Sequence, residues 1–263
     1  MKFKIEHKME GMFGLFGVII ALGFILTSAF LTPSYSPLRN TVSSLGDGVA
    51  KTLFSIGFVL AGSFGIPFFI QLERELINIK ENIRRLATGV SIFSCVCVSL
   101  VGIIPDESYL DLFFAFHYSV AFVSFAGTSA YIGLYSYLMY IGGSSINYTG
   151  PKFKKYLSFL GLAIIISFFA FLLTFQPIIE WILTILIIIW ILITSIQMLS
   201  FKFFNIPGAY YKKADYPKAL NKFEQAFDIL NHLELTDEPI MKTLEENISF
   251  LKERLKTSEN EKQ

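Results

Sequence analysis

Residues 12–32 read MFGLFGVIIALGFILTSAFLT, 21 positions without a charged side chain. At about 1.5 Å per residue, a helix of that length covers roughly 30 Å, the depth of a bilayer's hydrocarbon core. In lipid every backbone N–H and C=O needs a partner within the chain, so such a run is a helix. Five more largely apolar runs follow, at about 52–72, 87–105, 111–140, 157–176 and 178–200. The first run lacks a compact small-x-small cleavage site and has five successors, so it reads as a span and not as a cleaved signal peptide. Pro33 and Pro177 sit at span ends, where proline is tolerated, and Pro67 inside the second run predicts a kink. The expected fold is all-α: a six-helix transmembrane bundle over residues 1–203, followed by a small helical tail over 204–263.

Composition supports that division. Of the 263 residues, 53% are hydrophobic and only 16% charged, with 28 Phe and a mean hydropathy of +0.56. Such a chain is not disordered, and a soluble enzyme is nearly excluded. The charge is uneven: about 11% of residues 1–200 are charged, against about 33% of the last 63, the contrast between membrane and soluble protein. A net charge of +1 gives no reason to expect nucleic acid. Cys95 and Cys97 lie within one apolar run, two positions apart. They read as small buried hydrophobes, with neither a disulfide nor a metal site implied.

Loop charges set an expected orientation. Lys2, Lys4 and Lys8 precede the first span; Arg74, Lys80, Arg84 and Arg85 lie between the second and third; Lys152, Lys154 and Lys155 lie between the fourth and fifth. The alternate loops hold only Arg39 and Lys51. The positive-inside rule then places the chain in the cell membrane with both termini cytoplasmic. Gly57, Ala61 and Gly65 on span two, and Ala126/Ala130 and Ser129/Gly133 on span four, have the spacing of close helix packing. Spans five and six look apolar all round and are expected to face lipid over much of their surface.

Unusual residues gather on the expected outer face. The first outer loop, TPSYSPLRNTVSSLGDGVAK, holds Arg39, Ser43, Ser44 and Asp47; the second, IIPDESYLD, holds Asp106 and Asp111. His117 lies within span four, roughly 9 Å in from Asp111 at the helical rise. Its helix face continues through Ala121, Ser124, Thr128 and Tyr131, a polar stripe that should turn inward. Two readings stay open. In one, Arg39, Asp47, Asp106 and His117 surround an outward pocket. Arg39 there holds an anionic headgroup or carboxylate, and His117 accepts a proton. In the other, Arg39 pairs with Asp106 or Asp47 to pin the loop, and His117 is a hydrogen-bonded helix contact. A single histidine with scattered carboxylates does not make a metal site, and no cofactor is expected.

The loop motif NTVSSLGDG, the following LFSIGFVLAG, the VGIIPD end of span three and His117 together resemble a prokaryotic multi-pass family, domain of unknown function 998, over about residues 10–200. Ser44, Leu45, Gly46, Asp106 and His117 match its pattern best. The resemblance implies a six-helix membrane protein with a polar outer loop after the first span. It implies no established activity and no catalytic residue.

In the tail, AYYKKADYPKALNKFEQAFDIL (209–230) resembles a tetratricopeptide repeat. Ala209 and Tyr210 fall on its first helix, Asp215-Tyr216 at the turn, and Ala219, Phe223 and Ala226 on the second. Pro207 stands where that motif has its glycine. A further helix is expected over about 238–256, with Ile240, Leu244, Ile248, Leu251 and Leu255 on one face. A lone repeat is seldom stable, so residues 204–263 should dock, self-associate or bind a protein partner. No nucleotide-binding or hydrolase motif appears. The first functional expectation is thus a membrane scaffold or sensor, in contact with the lipid bilayer, whose tail mediates protein contacts. The alternative is a lipid- or small-molecule-binding protein, or an enzyme, using the outer pocket. A transporter is a third.

Overall fold

A computed structural model describes residues 6–77, 79–104, 111–144, 148, 152–204, 216–232 and 239–260. Among these the structure is helical without strands: α1 (Glu6–Leu31), a short 3-10 helix (Ser43–Gly46), α2 (Lys51–Glu75), α3 (Glu81–Ile103), α4 (Asp111–Ser144), α5 (Tyr156–Thr174), α6 (Pro177–Phe204), α7 (Tyr216–His232) and α8 (Pro239–Asn260). The chain divides into two compact units, residues 1–198 and 199–263.

Five helices, α1, α2, α3, α5 and α6, have the length and composition to cross a membrane, and the chain is that of an integral membrane protein. The sixth expected span, α4, forms a 34-residue helix whose inner side carries Ser124, Thr128, Ser129, Tyr131 and Ser136, all buried. The outward positions are apolar. Ile19, Phe30, Phe93, Phe169, Leu173 and Ile185 are all exposed, as a lipid-facing surface requires. Several helices run past their apolar cores: α3 starts at Glu81 with Arg84 and Arg85 in its first turns.

In the first unit, α1–α2, α2–α3, α3–α4 and α4–α5 are packed pairs. Missing side chains permit this. A Cβ at Gly62 would collide with Ser99 Oγ and the Cys95 carbonyl across α2–α3, and one at Gly161 with Ser136 across α5–α4. On span two, Gly57 faces Phe24 and Gly65 faces Cys95; on span four, Gly133 faces Ile165. Ala130, by contrast, points outward. Pro67 lies inside a continuous α2. Phe175, at φ 49°, takes the left-handed conformation that reverses the chain between α5 and α6.

The expectation for span six needs correction. Ile182, Ile185, Ile189 and Ile196 do face outward, but Glu180, Trp181, Leu183, Trp190, Thr194, Ser195 and Met198 are buried. The helix is two-sided, because its apolar run is interrupted by polar residues at helical spacing. Trp190 Nε1 donates to Ser136 Oγ at 3.0 Å, and Gln197 Nε2 donates to Tyr156 OH at 2.8 Å.

In the second unit, α7 and α8 pack on each other. Ala219, Met241, Leu244 and Leu251 are buried, while Phe223 and Ala226 are half-buried. Lys252 Nζ meets Glu224 Oε1 at 3.0 Å across the pair. Tyr216 begins α7 instead of sitting in a turn, since the residues after it favour a helix. Ala209 and Tyr210 lie outside the described residues.

Candidate functional site

The segment between α1 and α2 is built by its own short polar side chains. Ser36 N–H donates to Asn40 Oδ1 at 3.1 Å. Ser44 Oγ donates to the Thr41 carbonyl at 2.7 Å, and Ser44 N–H donates to Thr41 Oγ1 at 3.2 Å. Ser and Thr at such spacing favour turns and short helices over a continued α-helix. The result is a tight turn running into the 3-10 helix, with Val42, Leu45 and Gly46 buried. Leu45 and Val42 join Ile25, Phe54, Val101 and Trp181 in a small core at this end of the bundle.

The first turn of α6 holds the segment down. Glu180 Oε1 accepts the backbone N–H of Val42 at 3.1 Å and that of Ser43 at 3.4 Å. These N–H groups open the 3-10 helix, where no side chain of the segment caps them. The next residue, Trp181, donates from Nε1 to Tyr35 OH at 3.1 Å and to the Asn40 carbonyl at 3.2 Å. Tyr35 OH in turn donates to the Thr41 carbonyl at 2.7 Å. The two rings meet edge to face, 6.1 Å between centroids. Burial, opposed in part by the Trp181 hydrogen bond, pushes the Tyr35 hydroxyl up to about 12.

Beneath this clamp lies a partly open cavity of about 150 Å³. Its walls come from α1, α2, α3, α4 and α6 and are mostly apolar: Phe13, Val18, Ala61, Phe69, Val98 and Ile187 among them. Its polar groups are few. Glu180 and Thr184 lie one turn apart on α6, Ser43 comes from the clamped segment, and Ser124, Thr128 and Tyr131 come from α4. Glu180 is 3% exposed. Thr184 Oγ1 is buried without a hydrogen-bond partner.

The residues expected to form an outward pocket do not all line this cavity. Ser43 and Ser124 reach the cavity. Ser44 is spent on the turn. Arg39 and Asp47 are exposed on the segment and do not line the cavity. His117 is 1% exposed and donates from Nδ1 to the Ile104 carbonyl at 2.8 Å, tying α4 to the end of α3. Its Nε2 is buried without a partner. Asp106 and the side chain of Asp111 lie outside the described residues. The inward stripe of α4 holds, with Ser124, Thr128 and Tyr131 all buried.

Glu180 itself was not anticipated from the sequence. The signal was present: one carboxylate at the head of a run otherwise free of charge from Pro177 to Ser200, and an ionisable residue inside a span marks a functional position by default.

The model of one family, protein of unknown function (DUF998), matches residues 15–197, more than half of the chain. The chain belongs to this family. Within the family match lie the whole NTVSSLG segment, Glu180 and all the cavity-lining residues except Phe13 and Gly14; α7 and α8 lie beyond it. No curated protein and no solved structure matches the chain.

Proposed function

We infer that this DUF998 protein crosses the cell membrane six times and takes a small, largely apolar molecule into its bundle. The reading of α4 as the sixth span rests on its two-sidedness. Ser124, Thr128, Ser129, Tyr131 and Ser136 are buried, and its exposed positions include Phe116, Phe122 and Tyr137. The basic residues concentrated in alternate loops support cytoplasmic termini, with the clamped segment on the outer face.

The cavity carries the functional reading. Protein interiors are close-packed, with few voids larger than a water molecule. A space of about 150 Å³ with apolar walls matches the size of cavities that hold a benzene ring. Ala121 lines it, so Ala121→Phe should fill it. Benzene is expected to raise the unfolding temperature of the wild-type protein in detergent and leave A121F unchanged, because only the folded wild type has a site to saturate. An equal response of the two proteins would refute the reading.

A second reading concerns residues 204–263 as a cytoplasmic tetratricopeptide-like hairpin with one added helix, a scaffold or sensor element in contact with proteins. It is supported by the thin α7–α8 core and by the exposure of Ile229 and Phe250, a pattern that further packing would complete. Removing residues 205–263 should lower the oligomeric state of the protein, or its set of co-purifying proteins, in mild detergent. No change in either would count against it.

A further inference from the structure

We propose that the molecule taken into the cavity carries an ammonium group, and that Glu180 is the group that binds it. The proposal rests on the cavity reading above and adds the chemical class of the ligand.

Among the described residues that line the cavity, Glu180 is the one charged side chain. Both of its hydrogen bonds come from backbone N–H groups and fall on the same oxygen, Oε1. Among the described residues no basic side chain pairs with it. A carboxylate buried among apolar walls is costly unless it takes up a proton or a cation accompanies it. Here the described residues supply none, and the space beside the carboxylate is where one fits.

The neighbouring polar atoms suit the same guest. An ammonium has three donors and no acceptor, so it needs several oxygens. Thr184 Oγ1, one turn along α6, is buried and unpartnered on the same cavity. Ser124 Oγ, on the α4 wall, spends its proton on the Ala121 carbonyl at 2.8 Å and keeps its lone pairs for a donor. A carboxylate or phosphate guest would instead meet Glu180 as a like charge and be excluded. Mostly apolar walls with a few acceptors among them describe a site for a hydrophobic amine.

The test compares three probes of one shape on the full-length protein in lipid nanodiscs: 2-phenylethylamine, 2-phenylethanol and 3-phenylpropanoate. Binding is followed by equilibrium dialysis near neutral pH, with empty nanodiscs subtracted. The amine should bind the wild type about tenfold or more tighter than the alcohol, the scale of a hydrogen bond to a charged group, and the acid should not bind. Glu180→Gln keeps an oxygen for the Val42 and Ser43 N–H groups. It should bring the amine down to the level of the alcohol while leaving alcohol binding within about twofold, and Ala121→Phe should abolish both. Equal affinities for amine and alcohol in the wild type, both lost in A121F, would overturn the ammonium assignment and leave the cavity standing. Unchanged amine preference in E180Q would overturn it as well. Probe binding that A121F does not alter would overturn both the assignment and the cavity reading.

Discussion

The Trp181 indole donates to the Tyr35 hydroxyl at 3.1 Å, and that hydroxyl passes its own proton to the Thr41 carbonyl at 2.7 Å. One phenol thus links two elements 146 positions apart in sequence. Tyr35→Phe removes both bonds and leaves the indole N–H with only the Asn40 carbonyl. The expected cost is about 1–3 kcal/mol of unfolding free energy, read by denaturant titration, with a shift in tryptophan emission.

Alkaline pH should act through the same hydroxyl. The Tyr35 phenol titrates near 10 when unfolded and is pushed up to about 12 when folded, chiefly by burial. The folded state therefore holds this proton more tightly. The contribution is complete below about pH 10 and is lost as pH rises towards about 12. Tryptophan emission of the wild type should change across that window, and that of Y35F should not. Identical alkaline profiles would remove Tyr35 from the clamp.

Glu180 should show a graded response. Glu180→Ala leaves the Val42 and Ser43 N–H groups without their acceptor and is expected to destabilise by about 2–3 kcal/mol. Glu180→Gln preserves an acceptor and should cost less than about 1 kcal/mol, because it also removes a buried charge. Backbone exchange at residues 42–46 is the direct measurement. It should accelerate in the alanine variant and change little in the glutamine variant.

Two glycines separate crowding from propensity. At Gly62 a Cβ would run into the Cys95 carbonyl and Ser99 Oγ, whereas at Gly89 nothing lies within 4 Å. Gly62→Ala should destabilise by about 1–3 kcal/mol, since backbone cannot step aside. Gly89→Ala should be neutral or stabilise by up to about 1 kcal/mol. Thermal unfolding of the two variants side by side reads the difference.

In the second unit, Leu251 is 1% exposed. Leu251→Ala should cost about 2–4 kcal/mol, seen as faster amide exchange throughout α7 and α8.

The helices were legible because a charge-free run of about 20 residues has one stable form in lipid. The inward stripe of α4 was legible for a related reason: Ser124, Thr128 and Tyr131 recur at helical spacing, and hydroxyls avoid lipid. The site was only half legible. NTVSSLG stood out as a motif of the polar loop, but its holding partners, Glu180 and Trp181, sit in a run whose average hydropathy hides them. Local pattern cannot show which distant helix closes over a loop. Arg39 and Asp47 drew attention as charges on that segment, yet a charge at an exposed position is solvated and needs no pocket. The buried carboxylate, whose surroundings only the fold creates, is the one that meets the cavity.

The clamp also imposes an order on synthesis. Val42 leaves the ribosome 138 residues before the carboxylate that holds it, a delay of roughly 7 to 28 seconds at ordinary elongation rates. Until then the donors at the head of the 3-10 helix have only water or lipid headgroups for company. A nascent chain stalled before α6 would carry α1 to α5 and an unfastened segment between α1 and α2. Limited proteolysis would distinguish that species from the finished protein by cleavage between residues 32 and 50.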